Sequence, residues 1–128
     1  MKVGQNCSVD ISARCPCNWT GVTLVAGGLY RFSADGCWTD WYIKHGPAGD
    51  PSSSFYLRLF EKFRRIPDRP WFELIGAIDC DLSSAFPIGK GTQYTGLRDG
   101  QLTCFANDVK GFYFNNRGKI TVCIARIA

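Results

Sequence analysis

Apolar residues recur at every second position in short runs, and glycine or proline closes most of them. Ile120, Val122 and Ile124 alternate with Thr121, Cys123 and Ala125, and Leu102, Cys104 and Ala106 alternate with Thr103 and Phe105. Leu29–Ala34 alternates in the same way and is expected to end at Asp35-Gly36. Successive side chains of a strand point to opposite faces, so a period of two gives each run one face for a core. Val22–Val25 before Gly27-Gly28, Trp38–Ile43, Trp71–Asp79 and an edge piece at Phe86–Gly89 bring the expected total to seven or eight strands. Many short strands with Gly/Pro punctuation predict an all-β sandwich or barrel, with antiparallel sheets whose inner faces meet. One stretch departs from this pattern. Phe55, Leu59 and Phe63 lie four apart behind Ser52-Ser53-Ser54, which fits a short capped helix near residues 54–65. The same stretch alternates as Phe55, Leu57 and Leu59, so strand stays open there.

A length of 128 residues suits one domain with one core. Residues 1–18 are polar and rich in cysteine and read as a lead-in segment or an edge strand, with the β domain over 19–128. The chain is 45% hydrophobic and 20% charged, a balance that excludes disorder. Net charge is +4 and spread out, and the basic stretch Arg58, Lys62, Arg64 and Arg65 reads as a solvated face, so nucleic acid is not an expected partner. No run approaches the ~20 apolar residues of a membrane span, and MKVGQNCSVDISARC has no secretion signal. The expectation is a soluble protein, cytoplasmic by default or exported by a non-classical route.

Seven cysteines leave at least one thiol unpaired within a monomer. Reduced thiols are the default where no signal peptide is seen. Cys104 and Cys123 fall in strand patterns, where a free Cys serves as a small hydrophobe. Cys15 and Cys17 are too close to bridge each other comfortably, and with Cys7 they lack the C-x-x-C pair or second His of a zinc site.

Enzymatic chemistry has weak support. His45 is the single histidine and has no visibly paired Ser or Cys nucleophile. Asp79 and Asp81, with Asp50 or Glu73, offer carboxylates for glycoside hydrolysis, yet they read better as solvated turn residues. The expectation is a binding protein and no enzyme. Trp38, Trp41 and Tyr42 follow Gly36 and suit either core packing, the preferred reading, or stacking on a sugar ring.

The segment Asn107–Gly118 concentrates polar chemistry between the last two strands. It holds one carboxylate, three side-chain amides and two glycines. Calcium takes six to eight oxygens, which Asp, Asn and backbone carbonyls supply from a loop. A plain hairpin loop uses the same residue types, so both readings stand on composition.

The segment resembles the C-terminal signature of the PA-I galactophilic lectin family of bacterial calcium-dependent lectins. That family's N-D-V-x-G-x-Y-x-N-N-x-G run is matched here at eight positions: Asn107, Asp108, Val109, Gly111, Tyr113, Asn115, Asn116 and Gly118. Gly46-Pro47-Ala48-Gly49-Asp50 resembles its G-P-x-G-D, and Leu74-Ile75-Gly76 with Phe86-Pro87-Ile88-Gly89 resembles its central strands. The likeness spans about residues 19–128 and is dense in the last third. It implies a jelly-roll-like antiparallel β-sandwich with Ca²⁺ held at one end by the side chains of Asp108, Asn115 and Asn116 and by carbonyls of Phe112 and, near the loop after Gly36, Asp40. It further implies a galactose-like or other glycan whose hydroxyls meet the ion and bond to Asp108, Val109 and Asn115. The family's sugar-gripping His and Gln fall near Ser53 and Tyr56 here, in a longer loop. Lys110, Phe112 and Phe114 also depart from the family pattern, and Lys110 would repel a cation or attract an acidic ligand. Multivalent lectins gain avidity, so a homo-oligomer fits this reading. The competing reading is a sandwich that has lost calcium and sugar and serves as a protein-interaction or structural domain.

Overall fold

The computed structural model describes residues 1–41, 43–50 and 64–128. The segment near 54–65, where helix and strand were both open, lies outside them except for its last two residues. Ten strands form among the described residues, more than the seven or eight expected: β1 (Asn6–Ser12), β2 (Asn18–Leu24), β3 (Leu29–Asp40), β4 (Ile43–His45), β5 (Ala48–Asp50), β6 (Trp71–Ile78), β7 (Asp81–Pro87), β8 (Gly91–Thr95), β9 (Gly100–Ala106) and β10 (Asn116–Arg126). They make two antiparallel five-stranded sheets, the sandwich that the alternating runs predict. One sheet is ordered β1-β10-β3-β4 with β8 also on β3; the other is ordered β2-β9-β6-β5 with β7 also on β6.

The stretch 1–18 supplies both an edge strand and the start of β2. β1 lies antiparallel to β10, with Ile11 opposite Ile120 and fully buried. The strand β3 does not end at Asp35-Gly36. Gly36 adopts φ +112°, a region open to glycine, and a Cβ there would sit 3.2 Å from the Lys119 carbonyl. β3 therefore runs on to Asp40 and keeps register with β10 throughout, from Tyr30 opposite Arg126 to Asp40 opposite Asn116. This continuation carries Asp40 to the end of the sandwich where the β9–β10 connection begins.

The core is built from the alternating faces that the sequence marks. Tyr30, Phe32, Trp38, Ile120, Val122 and Ile124 from one sheet meet Leu24, Leu74, Ile78, Leu102, Cys104 and Ala106 from the other. Cys104 is buried as expected, but Cys123 is exposed because it shares the outward face of β10 with Lys119. β6 differs from the alternating strands in being buried along its whole length. Its second face is covered by a satellite cluster in which Ile75, Ala77 and Phe105 pack with Ile66 and Ala85.

The reduced-thiol default is corrected at one pair. Cys17 and Cys80 form a disulfide across 63 residues of sequence, joining the β1–β2 and β6–β7 turns. Folding brings their Cα atoms to 6.1 Å, within bridging range. Cys7, Cys15, Cys37, Cys104 and Cys123 are free.

Candidate functional site

The β9–β10 connection is fixed before any ligand enters the argument. Asn107 is fully buried, and its side chain ties the connection to the preceding turn. Its Nδ2 donates to the carbonyls of Ile66 (2.9 Å), Pro70 (3.0 Å) and Arg69 (3.2 Å), while its Oδ1 accepts from the Ile66 N–H at 3.0 Å. The backbone around it is held as well: the Phe72 N–H donates to the Asn107 carbonyl and the Arg65 N–H to the Asp108 carbonyl. Further along, Tyr113 is buried and its hydroxyl donates to the Ala106 carbonyl at 2.5 Å. Burial pushes that phenol up to about 12, so it remains a donor.

Four side chains converge on this frame. Asp108 Oδ1 accepts the Val109 N–H at 2.7 Å, and Oδ2 accepts the Asn116 amide at 3.0 Å. The Asn116 Nδ2 also donates to the Ala13 carbonyl at 3.1 Å, which turns its Oδ1 the other way. That Oδ1 and the Asn115 Oδ1 are both buried and accept no hydrogen bond from the described residues. Asp40 stands opposite Asn116 in the β3–β10 ladder. The Trp41 N–H donates to the Asn115 carbonyl at 3.0 Å, and Arg117 donates to the Trp41 carbonyl at 2.9 Å, so the two connections are laced together.

Electrostatics mark the same place. Burial raises the Asp40 carboxyl to about 6, and the like charge of Asp108 adds to the rise. Burial also raises Asp108, against the hydrogen bonds from Val109 and Asn116 that favour its charged form. Neither carboxylate is in a salt bridge among the described residues. Two carboxylates and two buried amide oxygens that accept no hydrogen bond from the described residues thus lie at one end of the sandwich.

The remaining expected residues distribute around it. Phe112 opens the one-turn 3-10 helix Tyr113–Asn115, its N–H bonded to the Val109 carbonyl, and its ring is 55% exposed. Val109 is half-buried against the core and bridges to Arg64. Ser53 and Tyr56 lie outside the described residues, as does Tyr42. The tryptophans expected together divide. Trp38 is fully buried and its Nε1 donates to the Phe72 carbonyl, whereas Trp41, at φ +55°, is 63% exposed beside the site and is not core packing.

Groups weighed for catalysis take other places. His45 is buried and stacks on Phe72 at 4.9 Å. Glu73 forms a two-pronged pair with Arg69 at 2.6 and 2.7 Å. Asp79 accepts the Gln101 N–H, and Asp81 pairs with Arg98 at 2.8 Å. Among the described residues no three His, Cys, Asp or Glu side chains gather as a metal group, so any cation here would depend on amide and carbonyl oxygens. No described helix is long and apolar enough to cross a membrane.

The sequence pattern marks Asn107 and Tyr113 as motif positions but gives no role to either, since only the folded chain shows which carbonyls they reach. Arg65 is likewise missed as a site residue, because a basic run reads as a solvated face.

No protein-family profile matches the chain, and no curated protein matches it. Among solved structures, the chain is similar to the N-terminal domain of EclA, described as a PllA-like lectin. The two superimpose with a TM-score of 0.65 over 93% of this chain and 94% of that one, at 23% identity. At that identity the likeness establishes the fold.

Proposed function

We propose that this chain is a calcium-dependent carbohydrate-binding protein resembling the PA-I galactophilic lectins, and that it acts by binding and not by turnover. The observation that carries the reading is the pair of buried amide oxygens of Asn115 and Asn116, without donors, beside two carboxylates raised by burial. Buried polar atoms are paired in the great majority of cases, so two exceptions at successive residues in a connection that also carries a buried carboxylate fit a hard cation. Asp108, Asn115 and Asn116 would hold it through their side chains, with Asp40 and the Phe112 carbonyl completing the set. Bound there, calcium supplies coordination positions that vicinal sugar hydroxyls fill as neutral oxygen donors. The lectin fold of the similar structure supports the same reading.

The chain's own groups do the orienting. Asn107 and the Val109 N–H fix Asp108, and the Ala13 carbonyl fixes the flip of the Asn116 amide. Trp41 offers an exposed ring where a sugar's C–H face would lie. Val109, Ser53 and Tyr56 are the further positions proposed to touch sugar, and they decide which one is taken.

The test is a thermal melt in EDTA and in millimolar CaCl₂, repeated with neutral monosaccharides. A ligand at a hundredfold excess over its Kd stabilises by ~2.7 kcal/mol, which is about 10 °C for a domain of this size. Calcium is expected to raise the melting temperature by that order, and one sugar to raise it further. Asp108→Asn keeps the shape and is expected to abolish both shifts. Absence of any calcium shift in the wild-type protein would overturn the proposal and leave a sandwich serving as an interaction or structural domain.

A further inference from the structure

Beside the calcium loop lies an open groove of about 540 Å³, within the ~300–1,000 Å³ of small-ligand sites. Its wall comes partly from the β9–β10 connection, through Lys110, Gly111, Tyr113 and Phe114, and partly from Pro16, Arg65, Leu82 and the disulfide-bonded Cys80. Among the described residues, two cations line it and no acidic residue does. The Arg65 guanidinium is pre-set. It lies 3.8 Å over the Phe105 ring, and its Nη1 donates to the Pro16 carbonyl at 2.6 Å and the Tyr113 hydroxyl at 3.0 Å. Both bonds use Nη1, and the Nε and Nη2 donors have no hydrogen bond among the described residues. Lys110 is exposed and in no salt bridge among them. Phe114, 66% exposed, and Leu82, 43% exposed, add apolar surface to the wall.

We propose that this groove is a second subsite, which takes an acidic sugar unit by its carboxylate. The planar guanidinium matches a carboxylate fork, and because it is already fixed, little side-chain entropy is lost on binding. Phe114 and Leu82 supply the surface on which the C–H face of a pyranose ring packs. The groove takes Lys110, Gly111, Tyr113 and Phe114 from the calcium loop itself, so a glycan held at the ion would lead its neighbouring unit here. That last step rests on the calcium-lectin reading, whereas recognition of the acidic unit does not.

Accordingly the test uses the whole chain in EDTA, with glucuronic acid as probe and methyl glucoside as neutral control. In ¹⁵N-resolved spectra, millimolar glucuronate is expected to move the Gly111 amide and the Arg65 Nε–H resonances, and methyl glucoside to leave them in place. Lys110→Glu, whose fold is checked by the unchanged remainder of the spectrum, is expected to weaken the apparent affinity at least threefold, and 0.5 M NaCl to do the same, since surface charge pairs are modest and screened. Glucuronate causing no localised shift, or shifts that survive both Lys110→Glu and salt, would overturn the proposal. If the groove responds while the calcium melt shows nothing, the calcium reading alone fails; the converse result refutes the subsite alone.

Discussion

Replacing Asn107 by alanine tests whether the β9–β10 connection is held by its own polar anchor. The side chain is fully buried and has two N–H donors and one carbonyl acceptor. All three are used, against the Ile66, Arg69 and Pro70 carbonyls and the Ile66 N–H, with one donor shared between two carbonyls. At about 1 kcal/mol net for each bond the loss is ~3 kcal/mol, and the stranded Ile66 N–H adds up to about 1 more because that residue is only half-buried. Unfolding entropy of ~2.1 cal/mol/K per residue makes each kcal/mol worth about 4 °C in a chain of 128 residues. Asn107→Ala is therefore expected to lower the melting temperature in EDTA by roughly 11–15 °C. Asn107→Asp has nearly the same volume but sets a carboxylate against three carbonyls, so it is expected to do at least as much damage. Calorimetry on the three proteins decides the matter, with hydrogen exchange at the Ile66 amide as the local reading. A drop below about 4 °C for alanine, or an aspartate variant close to wild type, would refute the anchor, because shape and not hydrogen bonding would then hold the loop.

Three further outcomes follow from the fold. Gly118 sits at φ +89°, with a would-be Cβ 3.2 Å from both the Cys37 carbonyl and the Trp38 Cα, so Gly118→Ala is expected to cost more than about 1 kcal/mol in urea titration. Cys80→Ser opens a bridge that closes 63 residues and is expected to cost about 3–4 kcal/mol, a difference that vanishes when both proteins are melted in reductant. Asp81 is held at about 2, first by the Arg98 hydrogen bond and then by Ser83, below its ordinary 3.8. A lowered carboxyl contributes stability that is present above the ordinary value and lost as pH falls through the folded one. Asp81→Asn is thus expected to flatten the stability profile between about pH 4 and 2, as read by acid titration of circular dichroism.

The sandwich was legible because its evidence is local. Ile120, Val122 and Ile124 face inward because alternation leaves them no other arrangement that keeps Lys119 and Thr121 in water. The long course of β3 was hidden by Gly36, since Asp-Gly is a turn signal in sequence and a strand-continuing position here, where β10 packs closely against it. The oxygen cluster was half legible. A loop rich in Asn and Asp announces polar chemistry, but the asparagines of 107–116 take different roles that residue type cannot reveal. Asn107 exhausts its hydrogen bonds on the backbone, whereas Asn115 and Asn116 keep an oxygen free. The Cys17–Cys80 pair was not legible at all, because seven cysteines allow many pairings and only the meeting of two distant turns selects one.

One end of the sandwich holds several features that folding alone would disfavour. The unpartnered oxygens of Asn115 and Asn116, the mutual repulsion of Asp40 and Asp108, and left-handed backbone at Trp41 and Phe72 all gather there. Each costs on the order of 1–3 kcal/mol when uncompensated. Asn107, Tyr113 and the continuous β3–β10 ladder overdetermine the backbone just around them, so the cost does not relax away through local rearrangement. A rigid frame that keeps amide oxygens from donors and near negative charge is the arrangement on which the proposed cation site rests. The same frame orients Arg65 through the Tyr113 hydroxyl, so the proposed cation site and the proposed acidic-sugar groove share one anchor. Tyr113→Phe removes that hydroxyl while keeping the ring, and by this logic it would loosen the two sites together.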